Sequence, residues 1–579
     1  MDRSPLHLAL DQGGSASRAL VFDARGHERA AARIEVGDQR PQPGWVEQDP
    51  DAVVDSLRRV AAAALTQLDA GEREQVIACG LSTQRSSLVA WDRSTGAALS
   101  PVLSWQDTRA AAWLQAQGLD AEAMRATTGL YPNAHFGLSK MRWCLDHLDA
   151  VRAAAADGRL LLGPLAAFLA FRLLESRPVR VDPANASRTL LFDLALGDWS
   201  DALLARFGIE RAWLPAVARS DADYGELVLD GCRLPLRLLS GDQSTAAFAH
   251  GELRAEAAYL NVGTGAFVFR ASEQALPRDG QDTRVPQRAG RPAAALLRSV
   301  VHWADAPQYV IEGTVNGAGS ALAAFAQAQG IANVGAALDA AWQDDTSAGE
   351  LVYLNGVGGL GSPDWRSDFP SRFIGEGTPA QQLVAVAESI VFLVERNLAL
   401  LRPLGAPCTH VLATGGISRS DRFCQTLADL AELPVQRPAH CEATARGAAF
   451  LLAGRPVDWA ALPQHEFLPR PAMALIARHR RWQDAMAQEL ARTRYAADDI
   501  DVRVGDIVTY KSMFFWRDWK PGHVWYVPGR SPARPWMERD GHQWVGVIGD
   551  GGTYRGFLID PATCRLPGTI RFQRRTDSD

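Results

Sequence analysis

"LALDQGGSASRALVFDARG", residues 8–26, is the stretch whose reading decides the fold. One apolar run leads into a Gly-Gly-Ser turn and a second leads out. Such runs on both sides of a glycine turn predict a β-hairpin. A glycine turn after a strand also suits an anion, because backbone N–H groups can approach where no side chain intervenes. The usual phosphate loop, G-x-x-x-x-G-K-[ST], adds a lysine, and this turn has none. Taken singly, the turn reads as a structural hairpin.

The same form recurs at "AAYLNVGTGAFVFRAS", residues 257–272. Two copies half a long chain apart predict two related α/β domains facing each other. A third glycine turn lies in "HVLATGGISRSDRFCQTLADLAEL" (410–433), where a strand, Gly-Gly and a helix follow in order. That order sets backbone donors and a helix dipole at one point, suited to an anionic or ribose-bearing ligand. Three such turns in a chain with two similar halves favour a nucleotide cleft between domains.

A chain of 579 residues exceeds one hydrophobic core. The expected division is 1–250, 251–496 and 497–579. Residues 47–71 predict a helix with Asp49 as cap, Pro50 in the first turn and Gly71 as stop. Residues 377–405 predict a central helix, with a Thr378/Gln381 capping box, Pro379 at its start and Gly405 at its end. Beyond residue 497, short β-patterned runs are broken by Pro-Gly and Asp-Gly-Gly turns. This mildly basic tail reads as a small appended β domain, of the SH3-like barrel type. Its tryptophans between Trp516 and Trp544 either fill that domain's core or offer stacking surfaces to a glycan or protein partner.

The totals exclude several classes. Net charge is −6, which argues against nucleic acid or an anionic membrane as the main partner. The apolar run "LLLGPLAAFLAF" (160–171) is broken by Gly-Pro and falls short of the roughly 20 residues that a span needs. The seven cysteines show no C-x-x-C pair and read as reduced thiols of a cytoplasmic protein. Cys79, Cys144 and Cys424 read as core, and neither His302 nor His440 has a partner at metal-ligand spacing. Lysines are confined to Lys140, Lys511 and Lys520, so lysine-dependent phosphate loops and Schiff bases have almost no candidate.

Two carboxylates can carry chemistry. "LLSGDQSTAAFAHG" (238–251) ends an apolar run in Gly-Asp-Gln, and Asp242 there could take the proton of a hydroxyl that attacks phosphorus. Asp11, at the first turn, is the natural carboxylate on the metal side, acting through water, since Mg²⁺ keeps several waters. A lone aspartate after a strand reads first as a turn or helix cap.

Ten motifs occur in order: "DQGGSASRALVFDARG", "PGWVEQDP" (43–50), "GLSTQRSSLVAWDRSTG" (80–96), "VLSWQDTRA" (102–110), "DPANASRTLLFDL" (182–194), "GDQSTAAF", "NVGTGAF", "YVIEGTVNGAGSAL" (309–322), "LNGVGGLGSPDW" (354–365) and "ATGGISRSDRF" (413–423). Together they resemble the FGGY carbohydrate kinases, and within that family the pattern of glycerol kinases. The resemblance covers roughly residues 5–495 and leaves the tail outside. It implies two actin-like (RNase H-like) α/β ATPase domains around a nucleotide cleft, plus the small C-terminal β domain. It implies ATP and Mg²⁺ in the cleft, and transfer of the γ-phosphoryl group to a small sugar or polyol. It also implies homo-oligomers of unspecified number.

By position, the resemblance makes Asp242 the general base and Asp11 the metal-side carboxylate. Gly13, Gly14, Ser15, Ser17 and Arg18 fall on the first phosphate turn, and Gly263, Thr264 and Gly265 on the second. Gly319, Ala323, Gly416, Ile417, Ser420 and Asp421 fall on nucleotide-contacting positions. Arg85, Ser86, Trp105, His135, Asp242 and Gln243 fall on the sugar-pocket positions.

The chain departs from the pattern at informative places. Glycerol kinases carry Arg-Glu where this chain has Arg85-Ser86, and a pocket tyrosine where it has His135. Gly14-Ser15 replaces Thr-Thr, Ala166 replaces an aspartate and Ala323 a glutamine. Losing a built hydrogen bond to one hydroxyl costs on the order of 10⁴-fold in discrimination. The expected acceptor is therefore a polyol or ketose larger than glycerol. The competing expectation is a degenerate relative that binds nucleotide or sugar and regulates something else; the retained Asp242 weighs against it.

Overall fold

The computed structural model describes residues 4–229, 231–272, 296–342, 349–366, 369–439 and 442–493, with side chains to residue 491. Beyond these it describes the backbone of five strands between 507 and 574.

The opening stretch folds as expected. β1 (Leu6–Gln12) and β2 (Ala16–Asp23) form an antiparallel hairpin, with Asp11 opposite Arg18. β3 (Glu28–Glu35) continues it on the far edge. β4 (Val76–Thr83), β5 (Glu226–Leu229) and β6 (Cys232–Gly241) complete a six-stranded sheet in the order β5-β6-β4-β1-β2-β3. β6, β4 and β1 run parallel, and every residue of β1 is buried, as the inner strands of a sheet covered on both faces must be.

The second half repeats the plan. β7 (Ala257–Val262) and β8 (Ala266–Ser272) form the second hairpin. With β9 (Leu297–Trp303), β10 (Pro307–Val315), β11 (His410–Thr414), β12 (Val435–Pro438) and β13 (Gln464–Phe467) they make a seven-stranded sheet, ordered β9-β10-β8-β7-β11-β12-β13. Here β7, β11 and β12 are parallel. The antiparallel arm β3-β2-β1 thus matches β10-β8-β7, and each arm is followed by parallel strands. A large core cluster packs against each of the two sheets.

Helix α1 (Pro50–Thr66) starts on Asp49, whose carboxylate accepts from the Asp51 and Ala52 amides, and packs on β2 and β3. It ends at Thr66; Gly71, expected to stop it, lies inside a separate turn of helix, α2 (Ala70–Glu74), that Asp69 caps. The membrane candidate at 160–171 is a buried strand, Leu160–Pro164, followed by helix α3 (Leu165–Leu173). Proline at the junction ends the strand and opens the helix. Among the described residues no single helix is long and apolar enough to cross a membrane.

Six further helices position the cleft. They are α4 (Asp242–Ala246), α5 (Gly319–Gln329), α6 (Pro379–Leu401), α7 (Asp421–Ala431), α8 (Ala443–Leu452) and α9 (Met473–Thr493). α6 carries the expected capping box and is buried along most of its length; it stops at Leu401, ahead of Gly405. α8 belongs to the second half but packs on β1 and β4 of the first, through Ala445, Ala448 and Ala449 against Ala9, Leu20 and Leu238. Gly447 permits this crossing, since a Cβ there would lie 1.8 Å from the Thr245 carbonyl oxygen of α4. The tail contributes β14 (Ile507–Ser512), β15 (Phe515–Tyr526), β16 (Trp544–Gly549), β17 (Tyr554–Leu558) and β18 (Ile570–Arg574), an antiparallel sheet ordered β17-β16-β15-β14-β18. The stacking role expected of the tail tryptophans, and the expectation for His440, lie outside the described side chains.

Candidate active site

Three parallel strands end side by side. Gln12, Thr83 and Gly241 are in register across β1, β4 and β6. Asp11, Gln84-Arg85 and Asp242 therefore leave the same sheet edge, at the carboxyl ends of the strands, where open α/β sheets place their ligands.

Asp242 starts α4, and its Oδ1 accepts from the Gln243 amide at 2.7 Å. Burial raises its pKa above the ordinary carboxylate value, while Arg85 and Arg188 oppose the rise. Arg85 Nη2 donates to Gln243 Oε1 at 2.6 Å. The glycine before Asp242 is dictated by this arginine: a Cβ on Gly241 would sit 2.5 Å from both Cγ and Cδ of Arg85. Burial, then the nearby Arg188, lowers the Arg85 pKa to about 10, so the guanidinium stays charged at neutral pH.

Asp11 is the second carboxylate. Arg18 Nη1 donates to its Oδ2 at 3.4 Å, and Arg18 Nε reaches Glu442 Oε2 at 3.2 Å. Asp11 Oδ1 is buried and has no hydrogen-bond partner. Burial pushes the Asp11 pKa up to about 7; Arg18 lowers it, and the charges of Asp242 and Glu442 raise it again. Glu442, at the start of α8, was not singled out in the sequence, and only the docking of α8 on the first sheet brings it here. Among the described residues no three acidic, His or Cys side chains draw together as a closed ligand cluster. An orphaned carboxylate oxygen beside further carboxylates still fits a hard cation held largely through water, the habit of Mg²⁺.

The expected sugar-pocket residues form one wall. Ser86 is held at φ 64°, and its buried hydroxyl has no hydrogen-bond partner. Lys140 Nζ donates to the Ser86 carbonyl at 3.2 Å and to the His135 carbonyl at 2.5 Å. The His135 ring meets Trp105 edge-on, with centroids 5.2 Å apart. Burial, then the cations Lys140, Arg188 and Arg85, holds His135 well below its ordinary pKa, so the ring is neutral. Lys140 was counted in the sequence without a role. Its place in the pattern, five residues after His135 on a helix, was the available signal.

Arg188 is a second residue that the motifs contained and the reading passed over. Its Nη2 donates to Glu312 Oε1 at 2.7 Å and to Ser299 Oγ at 2.9 Å. Its charge acts on both Arg85 and Asp242, and its partner Glu312 comes from the other half.

The phosphate-turn residues divide. Gly13 N donates to the Ala16 carbonyl, which closes the first turn, and Ser15 is exposed at its tip. Ser17 is fully buried, and its hydroxyl meets Ser56 Oγ of α1 at 2.8 Å. In the second turn Gly263 N bonds to the Gly265 carbonyl. Gly319 N donates back to the Gly263 carbonyl, and Ser320 N to the Thr264 carbonyl, so the first amides of α5 are spent on the turn itself. Gly319 is required there, since a Cβ would lie 2.7 Å from the Gly263 oxygen. Ala323 is exposed one turn further along.

The third turn sits beside the second because β7 and β11 are adjacent; a Cβ on Gly415 would come within 2.5 Å of the Val262 carbonyl oxygen. Gly416 faces open space and Ile417 begins a single 3₁₀ turn. Ser420 caps α7, and Asp421 pairs with Arg437 at 2.6 Å. Ala166, aligned with a family aspartate, is buried in α3.

Known proteins resemble this chain over most of its length. The family described as "FGGY family of carbohydrate kinases, N-terminal domain" matches residues 6–234, and the corresponding C-terminal domain matches residues 258–454. A glycerol kinase of Leptothrix cholodnii is 34% identical over 467 residues, which span 77% of this chain and 89% of that protein. Two solved structures share the fold: a Plasmodium falciparum glycerol kinase with ADP (TM-score 0.71, 20% identity, 84% of this chain and 98% of that one) and a Lactobacillus acidophilus gluconate kinase (TM-score 0.71, 19% identity, 84% and 99%).

Proposed function

Because the chain belongs to the FGGY family of carbohydrate kinases, it is a phosphotransferase with an alcohol acceptor, and we propose that ATP phosphorylates a terminal hydroxyl of a polyol or ketose longer than glycerol. The observation that carries the acceptor reading is Ser86. It stands where glycerol kinases carry glutamate, and its buried hydroxyl has no protein partner. A short neutral side chain there leaves room and an unused hydrogen-bonding group for a longer acceptor. Similar folds whose names give glycerol and gluconate as substrates indicate that the fold leaves the acceptor open.

In this reading Arg85, held by Gln243, binds acceptor hydroxyls together with the neutral His135 and the Trp105 ring. Asp242 Oδ atoms take the proton of the attacking hydroxyl, a task suited to a carboxylate whose pKa burial has raised. Arg18, bridging Asp11 and Glu442, supplies donors for phosphoryl oxygens. Asp11 would hold Mg²⁺, and that cation would neutralise charge on the phosphates. The glycine turns at 13–14 and 263–265 approach the phosphates from the two halves.

The test is ATP turnover by the full chain with glycerol, four- to six-carbon polyols and ketoses, beside Asp242→Asn. The expected result is kcat/KM well above that for glycerol with a longer acceptor, and a loss of about 10²–10⁴-fold in Asp242→Asn. Glycerol turned over far better than every longer compound would overturn the acceptor reading. Equal turnover by both proteins would remove Asp242 as the base.

A further inference from the structure

Three buried glutamine side chains join the first glycine turn to the acceptor wall. Gln84 Nε2 spends both hydrogens on glutamine oxygens, donating to Gln12 Oε1 at 3.1 Å and to Gln48 Oε1 at 2.8 Å. Those two residues then point their own amide hydrogens at the turn: Gln12 Nε2 donates to the Gly13 carbonyl at 2.8 Å, and Gln48 Nε2 to the Gly14 carbonyl at 2.7 Å. On the other side, Ser87 Oγ donates to Gln84 Oε1 at 3.1 Å and accepts from the Trp105 amide at 3.0 Å. The Gln84 amide also donates to the Gln12 carbonyl at 2.8 Å. The three glutamines and Ser87 are at most 2% exposed.

Orientation in this network is fixed from one end to the other. Gln84 must present nitrogen to Gln12 and Gln48, so those two must present oxygen to it and nitrogen to the turn. No member can rotate without leaving a buried polar atom unpaired. The separation is short: a Cβ on Gly14 would lie 3.7 Å from Trp105 Nε1 and 3.9 Å from Gln84 Oε1.

We propose that Gln84 is a positioning residue shared by both substrates, holding the phosphate turn through Gln12 and Gln48 and the acceptor wall through Ser87 and Trp105. The proposal rests on the kinase reading of the cleft. It predicts a split that a generally loosened fold would not give. Gln84→Met, which keeps volume and loses every side-chain hydrogen bond, raises KM for ATP and for the acceptor, each by about tenfold, the worth of one or two buried hydrogen bonds. Gln48→Met touches the turn branch and raises KM for ATP alone. Ser87→Ala touches the other branch and raises KM for the acceptor alone.

The experiment measures both KM values for the full chain and the three variants, with the acceptor of highest kcat/KM in the panel. Titration with ADP reads the nucleotide side independently of turnover, and melting temperatures are recorded alongside. The expected result is the split described. Gln84→Met with both KM values unchanged, or with only one changed, would overturn the proposal. If Gln84→Met does not fold, Gln48→Met and Ser87→Ala decide: opposite single-substrate effects support it, and identical effects on both substrates overturn it. Asp242→Asn that turns over like the wild type would instead sink the site reading beneath it.

Discussion

Arg188 and Glu312 form an ion pair that crosses between the two halves of the molecule, with Nη2 to Oε1 at 2.7 Å and side chains only 3% and 2% exposed. Burial alone would raise the Glu312 pKa; Arg188 and Arg85 together hold it below its ordinary value. Glu312 is therefore charged, and the Arg85 guanidinium that contacts Gln243 acts on it as well.

Breaking this pair from one side strands a buried cation. Glu312→Gln should cost roughly 3–5 kcal/mol, while replacing both partners by Met and Leu should recover most of that loss. A double-mutant cycle on thermal or urea unfolding checks it. A double variant as unstable as the single one would show that Arg188 is not the stranded group.

Gly241 is fixed by contact with a side chain, with an ordinary negative φ. Gly241→Ala should drive Arg85 from Gln243 and raise the acceptor KM by one to two orders of magnitude, on the order of a lost charged hydrogen bond. KM for ATP should change little. Steady-state kinetics with each substrate varied in turn distinguishes the two.

Lys140 should show itself in pH dependence. Burial lowers its pKa from 10.5 to about 7; Asp107 raises it, and Arg109 lowers it further. Between those values the unfolded chain keeps a proton that the folded chain has released. Wild-type stability should therefore rise relative to Lys140→Met as pH increases from 7 to 10, with a slope of about one proton. The same variant frees the Ser86 and His135 carbonyls, so the acceptor KM should rise. Unfolding of both proteins across that pH range, with acceptor kinetics at pH 7.5, makes the comparison.

Ser86→Glu restores the carboxylate of the glycerol kinase pattern beside Arg85. The ratio of kcat/KM for glycerol to that for the best longer acceptor should rise at least tenfold. An unchanged ratio would mean that residue 86 does not select the acceptor.

Gly14→Thr has room, because its Cβ would meet neighbours no closer than 3.7 Å. The added hydroxyl stands at the turn tip, where relatives carry threonine. ADP affinity should increase a few-fold, the value of a single exposed hydrogen bond. Calorimetric titration of both proteins reads it directly.

Much of the fold was legible because it rests on local rules. Two glycine hairpins gave two similar halves, Asp49 gave the start of α1, and the Thr378/Gln381 box gave the start of α6. Helix ends were read less well. Gly71 and Gly405 are helix-stopping residues by type, yet α1 and α6 end before them, at Thr66 and Leu401. Ser17 is named by its place beside a turn, and strand alternation turns its side chain onto Ser56.

By itself the sequence determined the family and its two similar α/β halves, and it named Asp11 and Asp242 as candidates, because each of these is written in contiguous residues. Tertiary structure decided everything that depends on distant segments meeting. Glu442 reaches Arg18 from more than 400 positions away only because Gly447 lets α8 cross α4. Glu312 neutralises Arg188 only across the domain interface, and Gln84 finds Gln12 and Gln48 only where β1 and β4 lie in register. Buried polar groups must be paired, and a linear pattern names the groups without naming their partners.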